Sequence, residues 1–363
     1  MQRDREAAHD RLVADYFSDQ PIYNEDNFRR RFCMRRPLFL RIVNTLSASN
    51  RYFQQHPNAT MRLGASAVQK CTTAIRMLAY GCAADQVDEY LKLGASTSRE
   101  CLKQFVDGVI AHFSTDYLRE PTPEDVQRLL REGDERGFLG MLRSIDCMHW
   151  VWKNCPGGWK GSCNDINVLQ RSPVFNDIIK NRAPQVQFTV NGNTYKKGYY
   201  LTDGIYPKWS MFVDAITAPQ TGKQRLFTER QESARKDVER AFGVLQARFA
   251  IIRKPALAWN VDMLWKFMMA CIIMHNMIVE DERDTYLNYK YPREFAQEQP
   301  ENMAGSSTGN ATTFFVTPGH YDPQNFRRLM DTRQEVRDRT THFSLKNDLV
   351  EHLWGRSRRS SVA

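Results

Sequence analysis

Only 18 residues lie between Asp146 and Asp165, two carboxylates that each border an apolar segment. Asp146 falls near the end of Phe138 to Cys147, where Leu139, Met141, Ile145 and Cys147 alternate with polar neighbours and predict a strand. Asp165 sits in Asn-Asp165-Ile-Asn-Val-Leu, where Asn164 or Asp165 caps a helix expected over Asp165 to Phe175. Residues 152–164, Trp-Lys-Asn-Cys-Pro-Gly-Gly-Trp-Lys-Gly-Ser-Cys-Asn, are turn-rich and hold no long strand. At ~3.4 Å per residue this stretch reaches far enough to bring both acids to one point. It is too short to build the sheet on which such a site normally stands.

Two more acids have the same setting. Asp203, in Leu-Thr-Asp203-Gly-Ile-Tyr-Pro, ends a strand predicted over Tyr195 to Asp203. That strand and Gln185 to Val190 flank Asn191-Gly192, a hairpin signal. Glu239 lies on a long helix, Gln224 to Ile252, whose apolar face (Val238, Phe242, Leu245, Phe249) is expected to dock on the sheet. Arg235 and Arg240 flank Glu239 and either steady it or contact a phosphate. Carboxylates from separate elements that meet at one point can hold two ions roughly 4 Å apart for phosphodiester chemistry. Hard oxygen ligands suit Mg²⁺ or Mn²⁺.

The background is basic. The 363 residues carry 51 Lys and Arg against 42 Asp and Glu, a formal net charge of +9. That balance favours a polyanionic partner such as DNA. The start, Met-Gln-Arg-Asp-Arg-Glu, is charged and has no apolar stretch of a signal peptide. The 8 cysteines are therefore expected as free thiols in a reducing compartment. No run of about 18 apolar residues occurs, so no membrane span is expected.

Along the chain, residues 1–56 read as charged helices, with Pro37 dividing two of them. The run Phe28-Arg-Arg-Arg-Phe is either a phosphate contact or a solvated helix face. Residues 66–113 read as three helices broken at Gly81 and Gly94, the pattern of a helix-turn-helix unit or of a plain three-helix bundle. In the first reading the third helix offers Thr97, Ser98, Arg99 and Lys103 to a groove. Residues 114–135, with Pro121 and Pro123, read as a linker, and 136–283 as the carboxylate-bearing domain. Asp262 to Glu282 is an apolar helix expected to be buried. Residues 284–320 lose periodicity, and Gln299 to Thr313 has the composition of disorder. Residues 321–355 return to an amphipathic helix, followed by a loose basic tail, Arg356-Ser-Arg-Arg-Ser. The expected class is α/β, mostly helical overall.

Five motifs taken together resemble a known family. Ser-Ile-Asp146-Cys-Met-His-Trp, Asn-Asp165-Ile-Asn-Val-Leu, Tyr-Tyr-Leu-Thr-Asp203-Gly-Ile-Tyr-Pro, Arg-Lys-Asp-Val-Glu239-Arg-Ala-Phe-Gly and Cys271-Ile-Ile-Met-His-Asn-Met are similar to the plant branch of the PIF/Harbinger transposases and the Harbinger-derived nucleases. The resemblance covers about residues 20–284. It implies a ribonuclease-H-like DDE nuclease that uses Mg²⁺ to cut DNA. Asp146, Asp165 and Glu239 match the catalytic triad, and Asp203 matches a further acidic position counted with the metal ligands. It also implies a nuclear protein, a separate Myb-like partner that aids DNA binding and import, and an N-terminal helix-turn-helix. A homo-oligomer is compatible with it.

This chain departs from the family between Asp146 and Asp165, where members have several dozen residues and the central strands. Trp159-Lys-Gly runs directly into Ser-Cys-Asn-Asp165, as at an internal deletion. Missing strands leave an unpaired sheet edge, and metal ligands held about 1 Å out of position lose most of their catalytic value. The expected outcome is a truncated, weakly active or inactive nuclease; the alternative is a non-catalytic DNA- or protein-binding relic. Cys147, His149, Cys155 and Cys163 are of the types that ligate Zn²⁺, but their spacing fits no common finger.

Overall fold

The computed structural model describes residues 4–57, 61–160, 164–172, 184–258, 260–283, 315–317 and 334–360. The chain divides into two compact units. One comprises Met1–Arg119, His149–Pro156 and Gly243–Met303; the other comprises Glu120–Met148, Gly157–Phe242 and Ala304–Ala363. This interleaving differs from the linear series of domains read from sequence.

The first unit is helical. It holds α1 (Arg5–Tyr16), α2 (Glu25–Phe32), α3 (Arg36–Ser49), α4 (Ala67–Tyr80), α5 (Ala84–Leu91) and α6 (Ala95–Tyr117). Pro37 opens α3, where its missing N–H costs nothing. The Phe28 and Phe32 rings stack at 4.1 Å and are fully buried. Of the arginines between them, Arg29 pairs with Glu282 at 2.5 Å, so at least one is tied down within the unit. Ser66 and Gln69 form a capping box at the start of α4. Gly81 ends α4 in the left-handed region (φ +54), and a Cβ there would lie 2.9 Å from the Ala250 backbone. No L side chain fits that turn and that approach together.

Alpha helix α11 (Val261–Asp281) packs on α6. Only one face of it is buried, through Ala270, Cys271, Ile273, Met274, Met277 and Ile278. Trp265 remains 52% exposed, so the expected burial holds for one face and not for the rest of the helix. Its mean hydropathy of 1.3 and length are also enough, by composition alone, to cross a membrane. Its Lys266 pairs with Asp107 of α6 at 3.0 Å and with Asp262 at 3.2 Å.

The second unit begins in the segment read as a linker. Residues Pro123–Glu135 form α7. Thr122 and Asp125 make a capping box and Pro123 takes the first helical position, where proline favours a helix rather than breaking it. Val126 and Leu130 then enter the core. A turn through Gly140 (φ +82) leads to β1, which covers only Met141–Ser144 instead of Phe138 to Cys147. A Cβ on Gly140 would strike the Phe188 ring at 2.4 Å, so this turn needs glycine, and its positive φ keeps it out of the strand.

The remaining elements are α8 (Asp165–Arg171), β2 (Gln185–Val190), β3 (Asn193–Tyr195), β4 (Tyr199–Thr202), β5 (Phe212–Asp214), α9 (Gly222–Arg248), α10 (Ala250–Arg253, of the first unit), β6 (Phe315–Thr317) and α12 (Arg339–Ser360). Asn191 and Gly192 both have positive φ (51° and 84°), the two-residue hairpin turn that the sequence signals. The strand predicted over Tyr195 to Asp203 is not continuous: Tyr195 is the last residue of β3, which pairs antiparallel with β2, and Tyr199–Thr202 form β4, which runs parallel between β1 and β5. Among the described residues the two sheets are β1-β4-β5 and β3-β2-β6.

Alternation along β4 divides the core. Tyr199 and Leu201 join a cluster with Phe227 and Ala234 of α9 and Leu345 and Leu349 of α12. Tyr200 packs with Tyr206, Met211 and Phe212 in a second cluster. Buried Asp214 ties β5 to α12: Lys208 lies 2.6 Å, Lys346 3.1 Å and His342 3.4 Å from its carboxylate. The tail Arg356 to Ser360 is the last part of α12, not loose chain, and Arg356 pairs with Asp134 at 3.1 Å. The disorder expected over Gln299 to Thr313 lies outside the described residues.

Candidate functional site

Asp146 stands two residues beyond β1. Its Oδ1 accepts from the Cys147 N–H at 2.8 Å. Its Oδ2 lies 3.4 Å from Nη1 of Arg235, and both side chains are 20% exposed. Nη2 of the same arginine lies 2.8 Å from Oε1 of Glu239, one helical turn further along α9. One guanidinium therefore bridges the first and last acids of the predicted triad.

The helix is held in register by a residue that the sequence reading did not single out. Gln231, with no exposed surface, donates from Nε2 to the Thr202 carbonyl at 3.0 Å and the Val213 carbonyl at 3.1 Å. Ser144 Oγ adds a bond to the Ala234 carbonyl at 3.3 Å. Gln231, Arg235 and Glu239 follow at intervals of four, a polar stripe on one helix face that was open to detection. The docking surface on the sheet is Phe227, Gln231 and Ala234. Val238 and Phe242 are only half-buried, and Leu245 and Phe249 belong to the other unit. The expected apolar face is thus displaced towards the start of the helix.

Asp165 opens α8 next to its cap, Asn164, whose side chain accepts from the Asn167 N–H at 2.8 Å. Tyr206 connects this region to Asp146. Its hydroxyl donates to the Cys147 thiol at 3.1 Å, and the residue is 2% exposed. Burial, then the Cys147 thiol, then the Asp165 and Asp146 charges hold the Tyr206 phenol well above its ordinary range, so it stays neutral. Asp203 follows β4 directly and is exposed; its Oδ1 accepts from the next backbone N–H, that of Gly204.

The structure therefore joins Asp146 and Glu239 through Arg235, with Asp165 and Asp146 both felt at Tyr206. Among the described residues, no three His, Cys, Asp or Glu side chains gather as a metal site. The donor set is nevertheless of the right kind: carboxylate oxygens suit a hard divalent ion. A cation already sits across Asp146 and Glu239 in the form of Arg235. Arg240 does not join the site. It is exposed and pairs with Asp237 at 2.8 Å. In the zinc candidate, Cys163 lies outside the described residues, the Cys147 thiol takes the Tyr206 hydroxyl, and Cys155 donates to the Pro156 carbonyl at 3.6 Å.

Of the residues expected to face a groove, Arg99 and Lys103 are exposed one turn apart on α6. Ser98 is fully buried and bonds the Leu93 carbonyl at 3.3 Å, so it reads nothing.

Comparison with known proteins agrees with the motifs. Residues 115–163 and 158–286 match the plant transposon protein family in two segments that meet at 158–163. Residues 9–47 match a domain family of unknown function. An ALP1-like protein of Arabidopsis thaliana is 24% identical over 171 residues, 46% of this chain and 41% of that protein. The candidate nuclease HARBI1 of Homo sapiens is 20% identical over 190 residues, 50% of this chain and 48% of its own. Its Mus musculus counterpart is 21% identical over 176 residues, 47% and 45%. The chain thus spans less than half the length of these relatives. No solved structure matches.

Proposed function

We propose, from the chain's membership of the Harbinger-derived transposases and nucleases, that it carries a ribonuclease-H-like DDE site for cutting DNA, impaired as the chain now stands. Asp146, Asp165 and Glu239 are its triad, and Asp203 is an accessory acid. One observation carries this reading: Asp146 and Glu239, 93 positions apart by number, meet on the single guanidinium of Arg235.

Asp146 and Glu239 would hold the metal ion. A bound Mg²⁺ or Mn²⁺ would polarise a phosphoryl oxygen and activate water. The protein's own contribution is positional. Gln231 and Ser144 set the helix so that Glu239 faces the end of β1. Neutral Tyr206 holds the Cys147 segment and adds no third negative charge beside the acids.

Impairment is supported from two sides. Among the described residues β1 lies at one end of its sheet, paired only with β4. The family match also breaks at 158–163, where the central strands would enter. Supercoiled plasmid incubated with the purified chain and Mg²⁺, beside a Glu239→Ala control, tests this. We expect little or no Glu239-dependent nicking, and clear Glu239-dependent nicking overturns the impairment. Reading genomic DNA and transcript across codons 160–163 tests the deletion separately.

A second reading is a nuclear DNA-binding protein without cleavage. The exposed pair Arg99 and Lys103 on α6, within a three-helix unit, supports it.

A further inference from the structure

A cavity of about 180 Å³ opens in the second unit, away from the carboxylates just described. Val126 and Leu129 of α7, Leu142 of β1, Val186 of β2 and Tyr200 of β4 supply its apolar wall. Three cations line the same opening: Arg143, Lys196 and Lys197. Arg143 is 59% exposed with Glu132 at 3.6 Å, and Lys197 lies 2.8 Å from Glu335. Carboxylates thus already stand beside two of these cations.

Size and chemistry narrow the occupant. Cofactor and drug-sized sites run from about 300 Å³ upwards, so this cavity suits one large side chain. Surfaces that take unstacked bases present aromatic platforms, whereas this wall is mostly aliphatic. Three of the lining elements are also strands, and two of them bear on the mode of binding. β1 has one neighbour in its sheet among the described residues. At Gln185–Gln187, β2 already receives an extended segment, β6, in antiparallel register. Strand addition with a side chain in an adjoining pocket is a common mode of peptide recognition.

We propose that this cavity docks an extended peptide of a protein partner, with one large aliphatic or aromatic side chain in the pocket and acidic residues on either side facing Arg143, Lys196 and Lys197. The apolar wall excludes a peptide without the anchor, and the cationic rim rejects a basic one. The site is independent of the nuclease reading, since none of its residues belongs to the carboxylate set.

The test uses the full chain and fluorescein-labelled pentapeptides read by anisotropy. Asp-Glu-Leu-Asp-Glu is expected to bind and to weaken with added salt. Asp-Glu-Ala-Asp-Glu and Lys-Lys-Leu-Lys-Lys are expected to fall below detection. Leu129→Trp, which fills the cavity, and Lys196→Glu, which reverses an exposed charge without touching the core, should each cost about tenfold or more in affinity. The charge variant keeps the test valid if the filled one misfolds. Binding that is absent from the wild type, or equal in both variants and for the alanine peptide, overturns the proposal. Displacement of the peptide by a single-stranded oligonucleotide also overturns it and assigns the surface to nucleic acid.

Discussion

Arg235 lies 2.8 Å from Glu239 on the same face of α9, and its other terminal nitrogen reaches Asp146. In charge and location the guanidinium takes the part of an ion shared by two carboxylates. An exposed ion pair is worth ~0.2–1 kcal/mol, and Glu239 is 47% exposed. Arg235→Gln is therefore expected to tighten Mn²⁺ binding by roughly 1.5- to five-fold. Calorimetric titration of both proteins checks this; equal or weaker binding by the variant would mean that the arginine supports the acids rather than competing for them.

Gln231 is the anchor of the same helix. Replacing it with Met leaves the Thr202 and Val213 carbonyls buried without their donor, at a cost of about 1–3 kcal/mol. Urea denaturation should show the loss. A change below ~0.5 kcal/mol would place the helix's hold elsewhere.

His275 makes the helical unit sensitive to acid. Burial first, and the Arg248 charge second, lower its pKa from 6.5 to about 4. Its Nδ1 lies 3.0 Å from Arg248 Nη1, as suits a neutral ring that accepts. The folded form thus binds fewer protons than the unfolded form between those values. Stability is complete above pH 6.5 and is lost as pH falls towards 4. His275→Gln should flatten the urea midpoint over that range; an unchanged slope would exclude this residue as its source.

Arg99 and Lys103 test the DNA-binding reading. Each alanine substitution should reduce the salt dependence of duplex binding by ~0.9 in the logarithmic slope. Gel shifts across a salt series measure it. Slopes unaltered in both variants would remove α6 from the interface.

Local chemistry made much of this fold readable, and long-range pairing made the rest obscure. Asn191-Gly192 announced its hairpin because few residues accept positive φ twice in succession. Gly81 announced the end of α4 for the same reason. The segment 114–135 misled because its prolines suggested open chain. Proline at the first position of a capped helix is a start signal, and Thr122 with Asp125 completes it. The strand predicted over Tyr195 to Asp203 misled because one run of β-formers serves two sheets, a choice made by distant partners. At the site, the acids and Arg235 were legible as types and spacings. Tyr206 and Cys147 were not, because their contact joins residues 59 positions apart with no shared motif.

The helical unit is assembled from three separate lengths of chain, the last beginning at Gly243. Helix α6 is complete at Tyr117, yet α11, which covers it, ends only at Asp281. At ~5–20 residues per second the ribosome leaves that face waiting for on the order of ten seconds or more. Until Asp281 has been made, the part of α6 that α11 covers has no partner from its own chain.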